Sequence, residues 1–136
     1  MAGRWLFKEE PSHYSFEELE KEGLTVWDGV KNPVAQKYLR QVKKGDRLFY
    51  YHTGKEKAVV GIARAISDAY LDPKKSDGKT VVVDIAPVKR LPEPVTLASV
   101  KARAKFKGFA LVRLPRLSVM PVTEEQWKDI ESMANK

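Results

Sequence analysis

The run Thr80-Val81-Val82-Val83-Asp84-Ile85-Ala86-Pro87-Val88 constrains the fold of this chain more than any other stretch. Three consecutive valines leave neither face polar, so the strand they form must be covered on both sides. Pro87 has no N–H to give to a ladder, which predicts a bulge or a sheet edge there. Both features fit a barrel closed over by helices. Further strands are predicted at Arg4–Lys8, Arg47–Thr53, Ala58–Ile66 and Leu117–Val122, from their aromatic, β-branched and small residues. Ser15-Phe16-Glu17-Glu18 and Thr123-Glu124-Glu125-Gln126 are capping boxes, opening helices at Phe16–Glu22 (ended by Gly23) and at the C-terminus, where Trp127, Ile130 and Met133 share a face. Pro92 and Pro94 break the chain before a short helix capped by Thr96, and 105–112 reads as loop or short helix. Five to six strands with peripheral helices make an α+β barrel-like fold, expected as one domain spanning residues 1–136.

The chemistry gathers in Val26-Trp27-Asp28-Gly29-Val30-Lys31-Asn32-Pro33-Val34-Ala35. Asn followed by Pro is a helix-start signal, since Asn caps free N–H groups and Pro is pre-set for the first helical position. The predicted helix runs to about Val42, behind a tight turn that delivers Trp27 and Asn32 to one spot. Such a turn offers an indole, a carboxylate and an amide to a planar ligand. Core packing is an equal alternative for Trp27, and Asp28 has the alternative of bracing its turn. Tyr50 and Tyr51 are adjacent in a strand and must point to opposite faces, one to the core and one free to line a pocket. Trp5 and Trp127 read as core, His52 as a hydrogen-bonded structural residue, and His13 as exposed.

Charge sharpens the reading. The formal charge is +7, and residues 85–119 carry eight basic residues against Glu93 alone, while the remainder balances 17 against 17. Lys89, Arg90, Lys101, Arg103, Lys105, Lys107, Arg113 and Arg116 therefore form the expected phosphate-binding segment, joined by Lys31. Residues 9–22 are acidic and are expected to face away from phosphates. There are no cysteines, which excludes disulfides and cysteine-ligated metal sites, and no apolar run has the length of a membrane span. A monomeric cytoplasmic protein is expected, or a nuclear one if the source is eukaryotic, with neither metal nor cofactor and without membrane association.

Enzymatic chemistry finds little support. The sequence has no phosphate-binding Walker loop, helical His pair, nucleophile elbow or Cys-based deaminase signature. A protein-interaction domain, or an accessory subunit of a nucleic-acid modification system, is the remaining alternative to a nucleic-acid binder.

Four motifs in order, Trp5-Leu6 with Lys8, Glu10-Pro11 and Ser15; Trp27-Asp28-Gly29-Val30-Lys31-Asn32 with Ala35; Tyr50-Tyr51-His52-Thr53; and Arg116-Leu117-Ser118-Val119-Met120-Pro121-Val122-Thr123, resemble the EVE-domain family. The resemblance implies a PUA-like pseudobarrel with a cleft for a base of DNA or RNA, modified cytosines such as 5-methylcytosine and 5-hydroxymethylcytosine foremost. By matching position it implies a cleft at Trp27, Asp28, Gly29, Val30, Asn32, Tyr51, His52, Leu117 and Ser118. Lys8, Glu10 and Ser15 would stand at its edge.

Overall fold

The computed structural model describes residues 3–135. Seven strands form one mixed sheet: β1 (Arg4–Glu9), β2 (Thr25–Trp27), β3 (Arg47–His52), β4 (Ala58–Ala65), β5 (Tyr70–Leu71), β6 (Val81–Thr96) and β7 (Val119–Pro121). Their spatial order is β2-β6-β4-β3-β1-β7, with β5 added to β6. Among the described residues only the β1–β3 pairing is parallel. Five helices lie around them: α1 (Phe16–Glu22), α2 (Pro33–Leu39), α3 (Leu97–Lys101), α4 (Ala110–Arg113) and α5 (Glu124–Ala134). A 3-10 turn at Ala104–Phe106 separates α3 from α4.

The sheet curls on itself. Strands β2 and β1 are separated by three others in the hydrogen-bonded order, yet the rings of Trp27 and Phe7 lie 5.2 Å apart. Tyr50 meets the same indole edge-on at 5.4 Å, and Phe16 meets Tyr50 at 5.5 Å. These rings fill the concave interior. Phe49, on the opposite face of β3, stacks on Trp127 of α5 at 3.7 Å. Each sheet face is therefore roofed by aromatic packing, which burial of such large rings favours strongly. Helix α2 packs against both β7 and β6, so it spans the gap between the two ends of the sheet.

Gly61 makes room for helix α1 on the sheet. A Cβ there would stand 2.5 Å from the ring of the fully buried Phe16. Only a residue without a side chain lets α1 sit that close to β4.

The long strand runs from Val81 to Thr96, past the Val88 end and the break at Pro92 and Pro94 that were expected. Its ladder with β4 explains the difference. Gly61 pairs with Arg90 and Val59 with Val95, so residues 91–94, including Pro92 and Pro94, bulge out where no donor is required. A second register shift lies beside Pro87, as its missing N–H predicts. Helix α2 ends at Leu39, before the expected Val42.

Candidate functional site

The loop 28–32 leaves β2 at one end of the sheet and enters α2, whose packing on β7 brings it toward the other end. Its geometry follows from three local devices. Gly29 takes a left-handed φ of 74°, which turns the chain at little cost for glycine. Asn32 accepts from the N–H groups of Val34 at 2.8 Å and Ala35 at 3.1 Å, and Pro33 follows as the first helical residue. Gln36 fixes the loop from inside. It is buried, donates from Nε2 to the carbonyls of Val30 (2.8 Å) and Val81 (3.1 Å), and accepts at Oε1 from the N–H of Val81 (2.9 Å). Residue types alone do not flag Gln36, because a lone glutamine in a helix usually faces solvent.

Three cavities surround this loop, which stands between them as a ridge. A cleft of 340 Å³ opens between the start of α2 and the segment after α4, lined by Asn32, Val34, Arg113, Leu114, Pro115, Arg116 and Leu117. A second, of 450 Å³, lies against Gly29, Val30, Lys31 and Gln36 on one side and residues 75–80 on the other. The third holds only 150 Å³, beside Trp27, Asp28, Glu9 and His13.

The structure thus separates several residues that the sequence groups. Trp27 is 5% exposed and lines the smallest cavity, whereas Asn32 lines the 340 Å³ cleft, so the two do not meet at one spot. The indole packs against the core rings of Phe7 and Tyr50 on its inner side. Tyr51 and His52 border none of the three cavities. His52 is buried; the N–H of Phe16 donates to its Nε2 (3.1 Å), which leaves Nδ1 to donate to Glu56 Oε1 (2.8 Å). Its place is structural, as a strand-end histidine leads one to expect. Tyr50 takes the core side and donates to the carbonyl of Tyr14 (2.6 Å), while Tyr51 lies on the other face under Lys8.

Lys8 is the edge residue that touches the 340 Å³ cleft's wall. Its N–H donates to the carbonyl of Ser118 (2.9 Å) and its Nζ to the carbonyl of Pro115 (2.9 Å), with the ammonium 5.6 Å from the Tyr51 ring centre. Partial burial pulls its pKa down from the usual lysine value. Glu10 and Ser15 do different work: a Glu10 carboxylate oxygen accepts from Thr53 Oγ1 (3.3 Å), and Ser15 caps α1 in a full capping box. Ser118 is half-buried, and its hydroxyl has no hydrogen-bond partner among the described residues.

The basic segment also divides. Arg113 and Arg116 line the 340 Å³ cleft, but Arg90 pairs with Glu20 of α1 and Lys105 with Asp129 of α5 (3.3 Å). Lys89 is exposed on β6 beside Arg90; Lys101 and Lys107 are exposed and Arg103 half-exposed around α3. Two of the eight expected phosphate-binding residues thus meet carboxylates, two line the 340 Å³ cleft, and the other four are exposed or half-exposed on β6 and around α3.

A curled mixed half-barrel of this topology, roofed by helices, is a PUA-like pseudobarrel. The chain belongs to the EVE-domain family, whose sequence model matches residues 3–133. The structure of Rpa0253 from Rhodopseudomonas palustris superposes with a TM-score of 0.94 at 43% identity, covering 98% of this chain and 94% of that one. Human THYN1 protein, solved in complex with DNA containing 5-methylcytosine, superposes with a TM-score of 0.91 at 27% identity over 99% of both chains. By sequence, human thymocyte nuclear protein 1 is 27% identical over 170 aligned residues, covering all of this chain and 76% of the relative.

These relatives overturn one expectation. Proteins from human, zebrafish, chicken, mouse and rat matched here carry the name thymocyte nuclear protein 1, which points to the nucleus and not to the cytoplasm. Lack of cysteine suits the reducing interior of either compartment, so composition had no means of separating them.

Proposed function

We propose that this protein is a non-catalytic reader of a modified base in DNA, cytosine derivatives first, and that the base enters the 340 Å³ cleft between Asn32 and Leu117. The observation that carries the reading is the 0.91 superposition on human THYN1 in complex with 5-methylcytosine DNA. The size and lining of the cleft support it. Ligand pockets commonly occupy about 300–1,000 Å³, and this one combines apolar Val34, Leu114, Pro115 and Leu117 with Asn32 and two arginines.

Asn32 spends its carbonyl oxygen on the helix cap, so only its NH₂ donors remain for a ligand. Donors alone suit the O2 and N3 acceptors of a cytosine edge. The Ser118 hydroxyl, next in the chain to Leu117 but not itself part of the cleft lining, is able to accept from an exocyclic amine. Arg113 and Arg116 supply planar cations that stack on bases and fork onto phosphates. A methyl group on the base gains about 0.8 kcal/mol from apolar contact, roughly fourfold in affinity, so sharper discrimination requires the polar edge contacts as well. Trp27, Phe7, Tyr50 and Phe16 pack on one another in the concave interior, and Trp27 joins that cluster to the loop that follows it. Among the described residues no group of three or more His, Asp or Glu is placed to hold a metal ion.

Binding of duplex oligonucleotides with one 5-methylcytosine, one 5-hydroxymethylcytosine or none tests the proposal. Asn32→Ser keeps an acceptor for the helix cap and removes the amide donors; it is expected to flatten the preference while melting within about 1 kcal/mol of wild type. Equal affinity of the wild type for all three duplexes would remove the reader assignment.

A further inference from the structure

The 450 Å³ cleft on the far side of the ridge is not explained by base reading. Lys31, Arg40, Lys75 and Lys79 line it, and the acidic side chain among its lining residues is Asp77. That carboxylate is already occupied. It accepts from the N–H groups of Lys79 and Thr80, both at 3.0 Å, and from the Thr80 hydroxyl, which together hold it well below the usual carboxylate range. None of the four cations forms an ion pair with a carboxylate among the described residues. Arg40 uses Nη2 on the carbonyl of Lys79 (3.0 Å), which ties α2 to the 75–80 arm and sets the width of the cleft.

Four like charges around one concavity repel one another, and a concave wall of low dielectric strengthens their field toward any anion that enters. The cleft shares Gly29, Val30 and Lys31 with the ridge whose other flank is the base cleft, and Pro33 and Asn32 are adjacent residues on the two sides. We infer that the phosphodiester backbone next to the recognised base crosses the ridge and lies in this second cleft, gripped by Lys31, Arg40, Lys75 and Lys79. The inference rests on the reader proposal for its ligand, but it assigns phosphate contacts to a loop that lies outside the basic 85–119 segment. It also gives the polar arm 74–79 a purpose, since Lys75 and Lys79 line the cleft on the side of the ridge away from Arg113 and Arg116.

The test compares wild type with Lys75→Gln/Lys79→Gln, exposed positions whose side chains form no hydrogen bonds among the described residues. Affinity for methylated and unmethylated duplexes is measured from low to moderate salt. Each phosphate contact contributes about 0.9 to the slope of log affinity against log salt, so the double variant is expected to flatten the slope by about 1.8. The methylated-over-unmethylated ratio should stay as in wild type, because the base cleft is untouched. An unchanged slope in the variant, with wild-type preference intact, overturns this inference and leaves base reading standing. A flattened slope in a protein that never preferred the methylated duplex upholds the backbone cleft and removes base reading instead. Failure of the wild type to bind any duplex at low salt overturns both.

Discussion

Replacing Gln36 with leucine should loosen the ridge without disturbing the rest of the barrel. The side chain makes three hydrogen bonds, to the Val30 carbonyl and to both backbone groups of Val81, and its removal strands all three partners. A buried polar group left unpaired costs about 1–3 kcal/mol. Val30 and Gln36 border the 450 Å³ cleft, so water can reach part of the damage, and leucine recovers about 1 kcal/mol by its own burial. The net loss is about 2–4 kcal/mol, which for a chain of this length lowers the melting temperature by about 7–14 °C. Calorimetry measures the shift. Amide hydrogen exchange should show faster opening at residues 28–32 and unaltered protection in β3, and affinity for methylated duplex should fall with the loss of a fixed Asn32. A variant that melts within 2 °C or so of wild type, or one whose extra exchange lies outside the ridge, would refute the reasoning that Gln36 positions this loop.

Gly61→Ala is expected to cost about 1–3 kcal/mol, because its Cβ would meet the Phe16 ring at 2.5 Å. Adding Phe16→Leu should then cost less than it does in the wild-type background, a coupling that chemical denaturation of the two single variants and the double variant reads directly. At alkaline pH, burial holds the Tyr51 phenol up from 10.0 to about 12. The folded state therefore keeps a proton that the unfolded chain gives up, so this contribution to stability is complete below pH 10.0 and drains away toward about 12. Tyr51→Phe should raise the alkaline unfolding midpoint, followed by far-ultraviolet circular dichroism alongside phenolate absorbance.

Much of this architecture could be read from residue types acting over a few positions. Ser15 with Glu18 and Thr123 with Gln126 cap their helices as their spacing requires, and Asn32-Pro33 opens α2. Tyr50 and Tyr51 divide between two faces because a strand allows nothing else. What escaped depended on partners distant in sequence. The single strand 81–96 survives its prolines only because β4 lets residues 91–94 bulge, and no local rule contains that pairing. Gln36 earns its place through Val81, 45 residues away. Asp46 is likewise fixed only by the fold, accepting from the Trp5 indole N–H at 2.9 Å, the Gly3 N–H at 2.7 Å and the Lys43 N–H at 2.9 Å. The site showed the same limit. Asn32, Leu117, Arg113 and Arg116 converge on one cleft, while Trp27 lines a separate one because curling of the sheet draws its indole into the core. The arm 74–79 shows no sign of a role in its own residues, since what gives it meaning is Arg40 and Lys31 across the cleft.

Where the base lies can be read without a variant from an amide and methyl NMR titration with a duplex carrying one 5-methylcytosine. Saturable shifts are expected at Asn32, Val34, Leu114 and Leu117, larger for the methylated than for the unmodified duplex. Shifts centred on α1 and the acidic surface around Glu9 and Glu22, with the Asn32–Leu117 cleft silent, would contradict this placement of the base.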